Sequence, residues 1–156
     1  MNTSELAIRI EAEYPQAKIS EASGLLQVTV DAGQVRPFLL SAKTKLGLDY
    51  LMFVSAVDCM AANRVDVIYM LGAGDKAMIK LTAGLDRSNP AIATVSDLFR
   101  TADWHERETA EMFGIAFTGH PDPRKLLLPD EFKGNPLRKD FRDDFLQPLP
   151  TGKKEE

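Results

Sequence analysis

Residues 49–83 read DYLMFVSAVDCMAANRVDVIYMLGAGDKAMIKLTA, and this stretch decides the fold class. In its middle, Val65, Val67, Tyr69 and Leu71 alternate with Asp66, Ile68 and Met70, the period-two signature of a strand with one buried face. Residues 49–59 and 76–83 have the same strand character. The separators Ala61-Ala62-Asn63 and Gly72-Ala73-Gly74-Asp75 are short enough for antiparallel hairpins. Three strands joined this way predict an antiparallel sheet, and its apolar face needs helices to cover it.

The flanking sequence supplies them. Ser4 is placed to cap a first helix with Leu6, Ala7, Ile10 and Tyr14 at helical spacing, closed by Pro15. Strands over 17–21 and 25–30 meet at Ser23-Gly24, with Leu26, Val28 and Val30 on one face. A helix over 34–46 carries the inner stripe Val35, Phe38, Leu39, Ala42 and Leu46, and Gly47 supplies a left-handed stop. After a polar loop at 84–90, residues 94–99 read as a short helix, and Asp103 is placed to cap another that ends near Gly114. The fold class is therefore α+β: a largely antiparallel sheet with helices packed on it, followed by an extended proline-rich C-terminal arm.

The arm is set apart by composition. Of the nine prolines, Pro121, Pro123, Pro129, Pro136, Pro148 and Pro150 fall beyond Phe117, and proline lacks the amide hydrogen that helices and central strands use. Between Pro121 and Phe145, Arg124, Lys125, Lys133, Arg138, Lys139 and Arg142 balance Asp122, Asp130, Glu131, Asp140, Asp143 and Asp144, which favours salt-bridged docking over a bulk field. The chain divides into a body, residues 1–118, and an interaction arm, residues 119–156, whose last residues TGKKEE read as a disordered tail.

Bulk properties narrow the function. A net charge of -4 argues against a general nucleic-acid binder. Cys59 is the only cysteine, too few for an internal disulfide, a cysteine zinc cage or a self-contained iron–sulfur cluster. The N-terminus lacks a secretory signal, and the strongest apolar run, 50–57, is far short of the ~20 residues of a spanning helix.

On a helical wheel begun at Trp104, the residues Trp104, Glu108, Glu111 and Ile115 share a narrow sector, and carboxylates beside an aromatic face call for partners, arginines of the arm foremost. An acid-base or metal enzyme using Glu108, Glu111 and His105 is the competing reading, but His120 lies among prolines and the ligand count is short. Cys59 ends an apolar strand with no histidine near it in sequence. No resident cofactor and a long amphipathic arm are the pattern of a non-catalytic subunit.

The run Glu106-Arg107-Glu108, then Glu111-Met112-Phe113-Gly114-Ile115, Gly119-His120-Pro121-Asp122, Arg124 and Pro136-Leu137-Arg138-Lys139-Asp140-Phe141 resembles the 30-kDa subunit family of respiratory complex I, which includes the C subunit of bacterial NADH–quinone oxidoreductase. The resemblance implies a peripheral subunit of the hydrophilic arm, on the cytoplasmic side of the bacterial cell membrane, supporting electron transfer from NADH to quinone coupled to proton translocation. It implies no cofactor in this chain, with FMN, iron–sulfur clusters and quinone held elsewhere in the complex. The partners implied are a 49-kDa-like subunit and a neighbouring iron–sulfur subunit, with the form unfused to the former. Membrane-bound hydrogenases and dehydrogenases using other donors share the family, so the donor stays open. Where the family often has glycine-histidine-proline-leucine, this chain has Gly134-Asn135-Pro136-Leu137, without the titrating group. On this reading Glu106, Arg107, Glu108 and Glu111 lock the arm to the body. Arg124, Arg138, Lys139 and Asp140 pair within the arm or with the partner, and Phe113, Leu137 and Phe141 anchor it.

Overall fold

The structure is a computed structural model and describes residues 3–72 and 78–143. The turn expected after Gly72, the start of the third long strand and the tail TGKKEE lie outside the described residues. In chain order the elements are α1 (Thr3–Glu13), β1 (Lys18–Ala22), β2 (Leu25–Thr29), α2 (Ala32–Lys45), β3 (Tyr50–Cys59), β4 (Arg64–Gly72), β5 (Met78–Asp86), β6 (Ala91–Ala93), α3 (Ala102–Phe113) and β7 (Ala116–Thr118).

The main sheet has the order β1-β2-β5-β4-β3. β3, β4 and β5 form the expected antiparallel meander, and β1–β2 the expected hairpin. That hairpin joins the meander through a parallel pairing of β2 with β5, Leu26 opposite Ile79 and Val28 opposite Leu81, so the sheet is mixed. Asn63, at φ 47, takes the left-handed turn between β3 and β4. Residues 95–99 form a hydrogen-bonded turn, with Leu98 and Phe99 both donating to the Val95 carbonyl, in place of the short helix expected there. On either side of this turn and α3, β6 and β7 pair as a small parallel ribbon, an element the sequence pattern did not announce.

One sheet face is the core. Val28, Leu81, Tyr69 and Val54 follow one another across it by register. They are buried with Leu6 and Ile10 of α1 and Val35, Phe38, Leu39 and Ala42 of α2. Gly47, at φ +70, ends α2 as expected. Ser4 and Asp103 are not caps: each lies inside its helix, Asp103 in the first turn, where its charge suits the helix dipole.

β3 is an edge strand, and α3 lies beside it. The Val54 amide donates to His105 Nδ1 at 3.3 Å, and the Thr109 hydroxyl stands 3.3 Å from the Val54 carbonyl. The strand's outward-pointing polar groups at Val54 are thus occupied by helix side chains, which blocks pairing with another strand there. This contact fixes the rotation of α3 about its axis, and with it the site described next.

Candidate assembly site at the end of α3

An α-helix leaves its last four carbonyls without intrahelical partners. In α3 they all find donors. Gly114 N–H reaches Ala110 O at 2.8 Å and Asn135 Nδ2 reaches Glu111 O at 2.9 Å. Leu137 N–H reaches Met112 O at 3.0 Å and Arg138 Nη1 reaches Phe113 O at 3.5 Å. Residues 135–138 therefore cap the helix from a distance in sequence, and the Arg138 charge sits at the negative end of its dipole. Gly114 is required twice over: its φ is +75, and a Cβ there would stand 2.7 Å from Asn135 Oδ1.

One turn of helix holds the preceding segment too. The Glu111 carboxylate accepts the successive amides of Leu126, Leu127 and Leu128 at 3.0, 2.9 and 3.2 Å, a concave amide nest closed on an internal anion. Arg107 donates to the Arg124 and Lys125 carbonyls, both at 2.9 Å, and lies 3.5 Å from Asp122. Lys125 Nζ turns inward to the Pro129, Asp130 and Phe132 carbonyls. Asp122 is paired with Arg124, which holds its carboxyl well below the usual range.

A third fastening lies at the end of β3. Asp58 is buried and accepts both Arg87 Nε at 2.7 Å and Nη2 at 3.0 Å, together with the Lys139 amide at 2.8 Å. Arg87 also pairs with Asp140 at 2.8 Å, and Arg138 reaches the Arg87 carbonyl at 3.3 Å. The Arg87 guanidinium holds the Asp58 carboxyl down to about 2. Sequence reasoning did not single out Asp58. The signal was its phase, since position 58 follows Val54 and Ala56 on the inward face, where an acid is out of place without a partner.

Glu106 is fully buried on the inner side of α3, where the Thr94 hydroxyl and the Val95 amide donate to it. Burial pushes its carboxyl up, against the pull of those donors. His120 accepts the Asp122 amide at Nδ1, so its proton is on Nε2, which faces the Asp103 carbonyl at 3.1 Å with Glu106 Oε2 3.9 Å away.

The residues expected to act together separate into groups. Glu106, Glu111 and Ile115 are buried, whereas Trp104 and Glu108 face solvent. No face of α3 is strongly apolar, so the wheel was ambiguous and the contact with β3 chose the rotation. Glu111 is satisfied by backbone amides rather than by arginines of the arm. Phe113 is buried and Phe141 stacks on Phe132 with ring centroids 6.0 Å apart. Pro121 and the side chains of Leu137 and Lys139 are exposed, and Pro136 is half-buried. His105 is engaged with β3 and Glu111 with the amide nest. Among the described residues no three His, Cys, Asp or Glu side chains are grouped to hold a metal ion. Cys59 Sγ stands 3.6 Å from Asp66 Oδ2.

Known proteins share both the sequence and the fold. The C subunit of the NADH-quinone oxidoreductase of Moorella thermoacetica is 34% identical over 130 residues, spanning 83% of this chain and 88% of that one. The J subunit of the NAD(P)H-quinone oxidoreductase of Parasynechococcus marenigrum is 37% identical over 147 residues, spanning 85% and 78%. A trypsin-resistant fragment of Nqo5 superposes with a TM-score of 0.67 at 26% identity, covering 74% of this chain and 96% of the fragment. A chain of the membrane-bound sulfane sulfur reductase, an archaeal respiratory membrane complex, superposes with a TM-score of 0.80 over 89% of this chain and 85% of its own; at 23% identity it shares the fold. The family described as respiratory-chain NADH dehydrogenase, 30 Kd subunit, matches residues 28–144, and this chain belongs to it.

Proposed function

We propose that this chain is an assembly subunit of an NADH–quinone oxidoreductase complex. It binds neighbouring subunits and takes no part in the chemistry itself. The observation that carries this reading is an inverted segment. Within residues 122–140 the backbone amides of Leu126, Leu127, Leu128 and Lys139 and the carbonyls of Arg124 and Lys125 are taken up by Glu111, Asp58 and Arg107, while Leu127 and Leu137 face outward, 61% and 54% exposed. A chain that fixes its backbone while exposing leucines is arranged to be covered by another protein. The partners are a 49-kDa-like subunit and an adjacent iron–sulfur subunit, on the cytoplasmic side of the membrane. FMN, iron–sulfur clusters and quinone belong to those other chains. Among the described residues no helix is long and apolar enough to cross a membrane, in keeping with attachment through partners.

The test is co-purification with a tagged chain. Leu127→Asp with Leu137→Asp should lose the partners while circular dichroism and melting of the free chain stay as in the wild type. Undiminished co-purification of that double variant, or NADH-dependent quinone reduction by the chain alone, sinks the reading. A second reading keeps the assembly role in a complex with another electron donor, and the fold shared with a sulfane sulfur reductase chain favours it. Assaying the recovered complex with NADH and with alternative donors separates the two.

A further inference from the structure

Opposite the core, the main sheet has a second face. Phe53, Met70, Lys80 and Gln27 follow one another across it by register, flanked by the rows Tyr50–Gly72–Met78 and Ser55–Ile68–Thr82. The described helices lie elsewhere: α1 and α2 bury their apolar residues against the core face, and α3 meets β3 at its edge through His105 and Thr109. The two halves of this outer face differ. On β1 and β2 its side chains are Lys18, Ser20, Gln27 and Thr29, as water requires. On β3 and β4 they are Tyr50, Phe53, Val57, Ile68 and Met70, joined by Met78 at the start of β5. Tyr50, Phe53, Val57 and Met78 are between 38% and 59% exposed. An apolar stripe rimmed by polar residues marks a surface that another molecule covers.

The shape of the stripe names its occupant. It is two strands wide, about 10 Å, and runs along them from Tyr50 opposite Gly72 to Val57 opposite Asp66, a length of about 20 Å. One α-helix, about 10 Å across with its side chains, covers that stripe with about 13 residues. A second sheet or a lipid surface would need the polar half to be apolar as well. The described helices of this chain each present a single exposed large apolar residue, Ile8, Leu40 or Trp104, so a second copy does not supply a matching stripe. Charge adds a further requirement. Arg64 and Asp66 neutralise each other at one end, whereas Lys80, on the border with the polar half, has no ion-pair or hydrogen-bond partner among the described residues. We propose that the outer face of β3 and β4 docks one amphipathic helix of a neighbouring subunit, lying along the strands, with an aspartate or glutamate on its flank toward β5 to meet Lys80. The inference rests on the assembly role proposed above and adds a surface distinct from the exposed leucines of residues 122–140.

The test uses the full chain in its complex, with the photo-crosslinker p-benzoylphenylalanine incorporated singly in place of Tyr50 and of Val57. Both positions should crosslink to one segment of another subunit, at sites about 13 residues apart, because the length between them spans that many residues of helix but only about six of strand. Lys80→Glu should lower both yields about threefold, the scale of one ion pair at a protein surface, and changing the acidic residue found between the two sites to lysine should restore them. Sites about six residues apart, crosslinks to a second copy of this chain, or yields indifferent to Lys80→Glu overturn the inference. Recovery of the intact complex with no crosslink from either position does the same, and all of these leave the assembly role standing. Failure of the wild-type chain to recover other subunits overturns that role and this inference with it.

Discussion

The β3–β5 meander and the segment 122–140 meet the same demand, a partner for each buried backbone polar group, by different means. In the meander, strand pairs with strand, unbroken between β4 and β5 from Arg64 opposite Asp86 to Gly72 opposite Met78 and with one register shift, between Leu51 and Phe53, in the β3–β4 ladder. The task is spread over many equivalent bonds, and side chains are left to pack or face water. In the segment, a few side chains do it: Glu111 takes three amides, Asp58 one amide and an arginine, Asn135 one carbonyl. The first design tolerates loss of one side chain, whereas the second depends on each.

The largest effect should come from Asp58→Ala, which removes two contacts of Arg87, leaving it only the half-exposed Asp140, and frees the Lys139 amide; about 3 kcal/mol of unfolding free energy should be lost, read by denaturant titration. Next is Glu111→Gln. The amide cannot accept from all three backbone donors, and a loss of about 2 kcal/mol should show as new protease cleavage within 122–132 while the body melts nearly as before. If the body melts first, the segment is part of its cooperative unit and the contrast between the two regions fails. Gly114→Ala should cost about 1–2 kcal/mol from the left-handed φ and the displaced Asn135 side chain, again seen first as proteolysis of the segment.

Two buried acids sharpen the comparison by pH. Asp58 titrates at about 2 in the native state against an ordinary 3.8, so its contribution is complete above pH 3.8 and is lost as pH falls from there toward 2. Glu106 has the opposite sign: its carboxyl is raised above 4.5 by burial, so stability from this site falls as pH rises beyond 4.5. Glu106→Gln should flatten the stability profile above pH 4.5 and leave the acid limb unchanged; a melting series across pH reads both. The smallest effect belongs to the sheet's outer face, where Val57→Thr should stay within about 0.5 kcal/mol.

Much of the body was legible because its information is periodic. Val65, Val67, Tyr69 and Leu71 repeat one message, and Gly47 marks a stop that only a left-handed residue makes. The parallel pairing of β2 with β5 was not legible, since nothing in either strand names a partner across α2, β3 and β4. The ribbon of β6 and β7 escaped because strands of three residues are too short to show a period. At the end of α3 the order of the runs 106–108, 111–115, 119–122 and 136–141 carried the family resemblance, and a carboxylate's need for a partner directed attention to Glu111 and the segment after β7. The partners themselves could not be read: Glu111 meets backbone amides, which every sequence possesses. Which carboxylates of α3 are buried was not legible either: Glu106 and Glu111 are and Glu108 is not, with His105 and Thr109 turned to Val54 of β3.

The position of β5 in the sheet also sets a timetable. β1, β2 and α2 emerge early from the ribosome, but β2 finds its neighbour only when residues 79–82 follow, about fifty positions later. Until then the N-terminal hairpin has a bare edge, and closing so long a loop slows the search for register. The carbonyl end of α3 waits longer still, for residues 135–138. A nascent chain that pauses before β5 is thus the species most exposed to strand exchange with its neighbours, and the central strand is the one whose synthesis ends that hazard.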